Sequence, residues 1–337
     1  MRSAGPLVAA LDPQLARFLA KLQVKGAPSF ARAGVPAARE LAAGFMGLQG
    51  PPVEVGDVAD HDLGGGCSVR VYAPAAAGPH PCLVWFHGGG WVVGSPDLVD
   101  RPCRAIAAAG PCVVASVGYR LAPEHPFPAA VEDAARAVDW VLAHVAALGG
   151  GGVLAGGDSA GAALAVAAAR GEQRVAGLVL AYPVADLRLD HRSMTTDGTG
   201  ALLTTEDLRF FYAHYAADAR DPRAAPLHGA LDGLPPTWLL TVGHDPLRDG
   251  GLLLADGLRR AGVPLDHVHR PELAHGVLWM AGVVEGVGDL LAAVGHHVAR
   301  GAAGMRAAQR GVAPCRNTSA NCSASSSALL PPSGRYQ

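Results

Sequence analysis

The chain has 337 residues, half of them hydrophobic and 17% charged, with a net charge of −2. That length can bury a large core, as one α/β domain or two smaller ones. The charge balance supplies no basic field of the kind that nucleic acid or an anionic membrane selects, so small neutral partners are expected and nucleic acid is not.

No uninterrupted apolar stretch reaches the ~18 residues of a membrane span. The nearest, Val277 to Gly295, is broken by Glu285 and Asp289, so stable membrane insertion is not expected. Six cysteines, at 67, 82, 103, 112, 315 and 322, form no Cys-x-x-Cys pair. Neither a disulfide framework nor a zinc site is indicated, and a cytoplasmic location is the expectation.

The first segment, "MRSAGPLVAALDPQLARFLAKL", has the outline of an export leader, but Asp12, Gln14 and Arg17 interrupt its apolar run. It reads better as an amphipathic helix. Asp12 suits the N-cap and Pro13 the first helical position, and Leu11, Leu15, Phe18 and Leu22 then share a face. "GAPSFARAGVPAARE" breaks and restarts helix as far as about Phe45. Two alternating segments, Val53–Val58 and Cys67–Tyr72, joined across "DLGGG", read as an antiparallel pair.

From residue 82 the rhythm changes. Apolar strands are predicted at Leu83–Phe86, Val113–Val117, Gly152–Ala155, Val175–Ala181, Thr237–Val242 and Pro264–His269. Between and after them come helices at roughly Leu98–Ala109, Ala129–Leu148, Ser159–Ala169, Arg248–Ala261 and Val277–Ala299. This alternation predicts a mostly parallel sheet with helices on both faces. It fails once, between about Val184 and Pro235. There "LLTTEDLRFFYAHYAADARDP" combines a Thr204/Asp207 capping box with an aromatic helix, a segment inserted above the sheet. From Gly301 onward the Ser-, Asn- and Pro-rich, unpatterned composition predicts a disordered tail.

Within this frame "GGDSAGAALAVAAA" (156–169) places Ser159 between a short apolar strand and an alanine-rich helix. With 44 glycines in the chain, a Gly-x-Ser-x-Gly string arises by chance about 0.2 times, so its context must decide. Gly157 and Gly161 allow a sharp turn that exposes Oγ, and the following helix start adds positive dipole. Upstream, "CLVWFHGGGWVVGS" puts His87 and three glycines directly after a buried strand. That string is expected about 0.03 times by chance, and backbone without Cβ atoms can aim its N–H groups at a ligand.

Asp245 of "GHDPLRDGG" stands just past a strand tip, where open α/β sheets keep functional groups. Asp249 is the competing acid. His275 of "PELAHGV" follows the last strand, with Gly276 beside it. His267 and His269 lie two apart on a strand with no matching ligand, and His296 and His297 close a helix, so none of these four is assigned a site. The candidate set is Ser159, Asp245 and His275, in α/β-hydrolase chain order. No metal site is expected.

"HGGGWVVGS", "YRLAPEHPFPAAVED", "GDSAG", "DPLRD" and "AHG" together resemble the hormone-sensitive lipase family of bacterial esterases, family IV of the lipolytic enzymes. The resemblance runs from about Leu11 to about Ala299. It implies an α/β-hydrolase fold with a helical cap: cap helices over 1–45, core over 46–184, a cap insert over 185–219, core again over 220–300, and the tail over 301–337. It also implies hydrolysis of short- to medium-chain carboxylic esters without metal or organic cofactor, the partner being a small-molecule ester. The oxyanion donors then fall on Gly88, Gly89, Gly90 and Ala160, with Tyr119 and Glu124 in supporting roles. Four positions depart from the family pattern: Ala162 and Ala163 after the serine turn, Gly250 after Asp249, and Val277 after His275-Gly276.

Phe211, His214 and Tyr215 recur at i, i+3 and i+4. They either pack the insert onto the core or, with Phe18 or Phe30, roof an acyl pocket, for which Phe211 and Tyr215 are the candidate substrate contacts. The alternative functions are an amidase or deacylase using the same three residues, or a non-catalytic small-ligand receptor on the same fold, against which His275 argues. A monomer or homodimer is expected.

Overall fold

The computed structural model describes residues 8–24, 28–197 and 202–311. Asp12 caps α1 (Pro13–Val24), its Oδ1 accepting the N–H groups of Gln14 and Leu15 at 2.9 and 3.1 Å. A helix start otherwise leaves these groups unpaired. Leu15 and Leu19 are buried, and Leu11, Phe18 and Leu22 pack against the same core. α2 (Phe30–Gly44) is two pieces joined at Gly34, whose φ of 73° and ψ of 168° are not helical.

A hairpin of β1 (Asp57–Gly64) and β2 (Cys67–Ala73) follows. The pairing is antiparallel, but the first strand starts later than the alternation of Val53, Val55 and Val58 implies. The turn decides this. Gly64, Gly65 and Gly66 all have positive φ, and the tight loop sets Gly64 opposite Cys67 and Asp57 opposite Ala73. β1 is an edge strand with mostly polar side chains, and Val53 is left exposed.

The remaining strands are β3 (His80–Phe86), β4 (Val113–Gly118), β5 (Gly150–Asp158), β6 (Val175–Ala181), β7 (Thr237–His244) and β8 (Leu265–Ala274). The sheet order is β1-β2-β4-β3-β5-β6-β7-β8, with β3 to β8 parallel and β2 antiparallel to β4. Strands β3 to β7 are buried along most of their length, as strands covered on both faces are. Of the helices between them, α3 (Asp100–Ala109) packs against the final helix, while α4 (Ala129–His144) packs against α5 (Ala160–Ala169). The break in alternation holds α6 (Arg192–Thr196) and α7 (Thr205–Tyr215). α7 opens on a full capping box: Thr204 Oγ1 accepts the Asp207 N–H, and Asp207 Oδ2 accepts the Thr204 N–H. α8 (Arg248–Arg260) precedes β8.

The end of the chain differs from the sequence expectation. In place of one helix over Val277–Ala299 there is a 3₁₀ turn at Val277–Trp279, and α9 runs over Val287–Gly311. The interruption has a steric cause. Gly282 lies so close to the Gly50 backbone that a Cβ would overlap it, and Gly286 has a φ of 81°. α9 also continues past Gly301, so the first part of the expected disordered tail is helical. Residues 312–337, with Cys315 and Cys322, lie outside the described residues. No helix among the described residues is long and apolar enough to cross a membrane.

Candidate active site

The carboxyl ends of four parallel strands converge on one point, where open α/β sheets place their functional groups. β3 delivers the glycine loop, β5 delivers Ser159, β7 delivers Asp245 and β8 delivers His275. Ser159 sits between β5 and α5 with φ of 55° and ψ of −119°. A non-glycine residue rarely holds that conformation, and it persists only where the surroundings impose it. Its N–H donates to the Ala181 carbonyl at 2.9 Å, and its own carbonyl accepts from Val184 and Ala162. The flanking glycines are steric necessities. A Cβ on Gly161 would overlap the Phe86 carbonyl, and one on Gly157 would lie 2.5 Å from the Gly161 backbone.

His275 Nε2 lies 2.9 Å from Ser159 Oγ, and His275 Nδ1 lies 2.9 Å from Asp245 Oδ2. All three side chains are buried. The other oxygen of Asp245 accepts the Leu247 N–H at 2.8 Å, which fixes the carboxylate plane. Asp249 is engaged elsewhere: it accepts from the Ser193 N–H at 2.9 Å and from Arg248 Nε at 3.0 Å. Of the two candidate acids, only Asp245 meets the imidazole. His267 and His269 lie on β8 against Thr241, away from this point.

The glycine loop after β3 presents fewer donors than its sequence offers. The Gly88 N–H is already taken, donating to Asp158 Oδ1 at 3.0 Å. This corrects the placement of Gly88 among the oxyanion donors: its hydrogen points back into the protein. Gly88 must still be glycine, since a Cβ would stand 2.5 Å from Asp158 Oδ2. The N–H groups of Gly89, Gly90 and Ala160 meet no acceptor among the described residues, whereas the Gly89 carbonyl accepts from Val92 and Val93 at 3.0 Å. Three unpaired N–H groups therefore stand beside Ser159.

Asp158 had no assigned role in the sequence reading, although it directly precedes the serine. It is fully buried, its Oδ2 has no hydrogen-bond partner, and burial pushes its carboxyl up to about 7 against the opposing pull of the Gly88 N–H. His87, also buried, is pushed down to about 4, so it is neutral at ordinary pH. Its ring stacks on Tyr119 at 4.3 Å and its Nδ1 bonds the Gly88 carbonyl at 2.7 Å, while Tyr119 Oη donates to the His87 carbonyl at 2.8 Å. Glu124 holds Arg39 of α2 in a two-point pair at 2.6 and 2.9 Å. Arg39 in turn donates from Nε to the Val92 carbonyl, just past the glycines. Arg39 is a second residue that sequence reasoning missed.

Comparison with known proteins places the chain in a family. Residues 83–279 match the family described as alpha/beta hydrolase fold. Carboxylic ester hydrolase LipN of Mycobacterium tuberculosis is 36% identical over 316 residues, covering 86% of this chain and 84% of that protein. Ethyl acetate hydrolase of Pseudomonas putida is 33% identical, covering 82% of this chain and 94% of that protein. Among solved structures, the hyperthermophilic esterase from the archaeon Pyrobaculum calidifontis superimposes with a TM-score of 0.81 at 32% identity, covering 87% of this chain and 99% of that one. The chain belongs to the alpha/beta hydrolase fold family, among its hormone-sensitive lipase-like esterases. It is a carboxylic ester hydrolase.

The esterase's pocket over Ser159 is a cavity of about 50 Å³, lined by Gly89, Gly90, His275 and a mainly apolar wall. Phe211 belongs to that wall. It also packs on the glycine loop so tightly that a Cβ on Gly90 would overlap its ring. Tyr215 does not line the pocket. Its ring stacks on Trp91 at 4.1 Å and 6° and meets Phe127 edge-on at 5.6 Å, so it is a packing residue beneath the loop. His214 turns onto Phe210 instead. The stripe of α7 that faces the pocket is Leu208, Phe211 and Tyr212, also at i, i+3 and i+4 but starting one helical turn before the expected set. Phe30 lines the pocket, whereas Phe18 lines a neighbouring cavity. Tyr182, buried and at a φ of 35°, packs its ring 4.7 Å from His275.

Proposed function

We propose that the esterase works as a serine carboxylesterase through an acyl-enzyme, with Ser159 as nucleophile, His275 as general base and acid, and Asp245 as the acid that orients it. The carrying observation is the pair of 2.9 Å contacts that link Ser159 to Asp245 through the two nitrogens of His275. His275 takes the hydroxyl proton as Oγ attacks the ester carbonyl. The Asp245 carboxylate holds the imidazole in the tautomer that leaves Nε2 free to accept, and then stabilises the imidazolium. The N–H groups of Gly89, Gly90 and Ala160 receive the developing oxyanion, which such preorganised donors stabilise far better than water does. The imidazolium returns its proton to the departing alcohol. Water then attacks the acyl-enzyme by the same route, releasing the carboxylic acid and restoring Ser159.

The described parts of residues 1–45 and 185–219 form the cap in this reading, with Phe30, Leu208, Phe211 and Tyr212 closing over the acyl group. The small, mainly apolar pocket favours short to medium acyl chains, and the names ethyl acetate hydrolase and acetyl-hydrolase among the relatives agree with that range. The four described cysteines are free and buried, which fits a reducing cytoplasm. The test is pre-steady-state turnover of p-nitrophenyl acetate beside the matching anilide. A burst of p-nitrophenol equal to the enzyme concentration, with little anilide cleavage, is expected. Faster cleavage of the anilide than of the ester would transfer the proposal to amide substrates.

A further inference from the structure

A second cavity, of about 420 Å³, adjoins the active-site pocket. Three residues, Phe30, Phe45 and Leu202, line both spaces and so form the wall between them. The polar groups around the outer space are largely consumed by helix ends. Asp207 accepts from Thr204 and from the Ala31 N–H, Thr204 Oγ1 accepts from Asp207, and Ser29 Oγ accepts from Arg32. What remains facing an occupant is mainly hydrocarbon from α1 and α2, such as Leu19, Leu22 and Leu41.

The wall is built from separate pieces. Phe30 opens α2 on the single turn that Gly34 divides from the rest of that helix, and its ring rests on Phe211 at 5.4 Å. Phe45 stands on the next turn of chain, edge-on to Trp279 at 5.7 Å. Neither ring is fully buried.

We propose that Phe30 and Phe45, by closing the active-site pocket off from the outer chamber, set how long an unbranched apolar chain of the ester the esterase accepts. This rests on Ser159 being the nucleophile, and deepens that reading by assigning the chain-length determinant to the two rings. In the wild type, turnover rises with chain length until the chain meets the wall. Removing a ring joins the two spaces, and each further methylene then buried is worth roughly fourfold in kcat/KM.

The experiment measures kcat/KM for p-nitrophenyl acetate to decanoate, and for ethyl to octyl acetate, on the wild type, Phe30→Ala, Phe45→Ala and Phe30→Ala/Leu22→Trp, with a melting curve for each. The quantity compared is the ratio of long-chain to two-carbon turnover within each variant. That ratio should rise at least tenfold in either alanine variant, and the tryptophan should return it toward the wild-type value by filling the chamber from behind. A rise in the acyl series places the acid side of the ester in the chamber, and a rise in the alcohol series places the alcohol side. The proposal is overturned if the ratio stays level in both series in a folded alanine variant, or if the tryptophan fails to reverse it. Loss of the nucleophile reading would look different: undiminished turnover of the shortest ester by Ser159→Ala.

Discussion

Asp158→Asn isolates the buried carboxyl under the glycine loop. In the folded protein burial holds this group at about 7, against an ordinary value of 3.8. Between those two pH values the folded state keeps a proton that the unfolded chain has released. Stability therefore falls as pH rises through that window and levels off above about 7. At 1.36 kcal/mol per pH unit, the loss from this one group is roughly 4 kcal/mol. Asparagine keeps an oxygen for the Gly88 N–H and cannot ionise, so the variant should lack this slope. Urea unfolding of both proteins from pH 4 to pH 8 would show the variant gaining on the wild type by that amount. Its ester turnover should stay within about tenfold of wild type, because the loop keeps its acceptor. Asp158→Ala should lose far more, since it strands a buried N–H at about 1–3 kcal/mol. Parallel stability curves for the wild type and Asp158→Asn would refute the burial argument.

Asp245→Asn should fold normally and lose about three to four orders of magnitude in kcat, because the imidazole would rest in the wrong tautomer. Asp249→Asn should be much milder, and a reversal of the two in a p-nitrophenyl acetate assay would reassign the acid. Tyr215→Ala should cost about 3–5 kcal/mol of stability through the lost burial and the cavity left beside Trp91, while leaving the chain-length profile in place. Phe211→Ala should shift that profile, and the same ester series separates the two. Arg39→Met should lower kcat for short esters more than it raises KM, because it frees α2 from the Val92 carbonyl beside the glycines; an effect on KM alone would show that Arg39 acts only on cap closure.

Most of the site was readable from sequence because its parts are local. Strand, glycine turn and helix around Ser159, the glycine run after β3, and single residues at the tips of β7 and β8 each have a pattern within a dozen residues. The parts that escaped depend on residues far apart in the chain. Nothing near Gly88 announces that its N–H belongs to Asp158, seventy residues on. Arg39 looks like any helix-surface arginine until Glu124 and Val92 meet it. Tyr215 shares a helical stripe with Phe211, yet Trp91, turned by a φ of 61°, takes it away from the pocket. Element ends went astray for the same reason. The last helical stretch breaks where Gly282 lies against the Gly50 backbone and Gly286 takes a positive φ, and β1 takes its register from the turn rather than from its valines.

Active-site labelling tests the central claim most directly. The wild type, Ser159→Ala and His275→Ala would each be treated with a fluorophosphonate, and the adduct counted by intact mass and located by peptide mapping. One phosphonyl group on Ser159 of the wild type is predicted, with none on Ser159→Ala and much slower labelling of His275→Ala, each in parallel with the loss of ester turnover. Equal labelling or undiminished turnover in Ser159→Ala would contradict the assignment of Ser159 as the nucleophile.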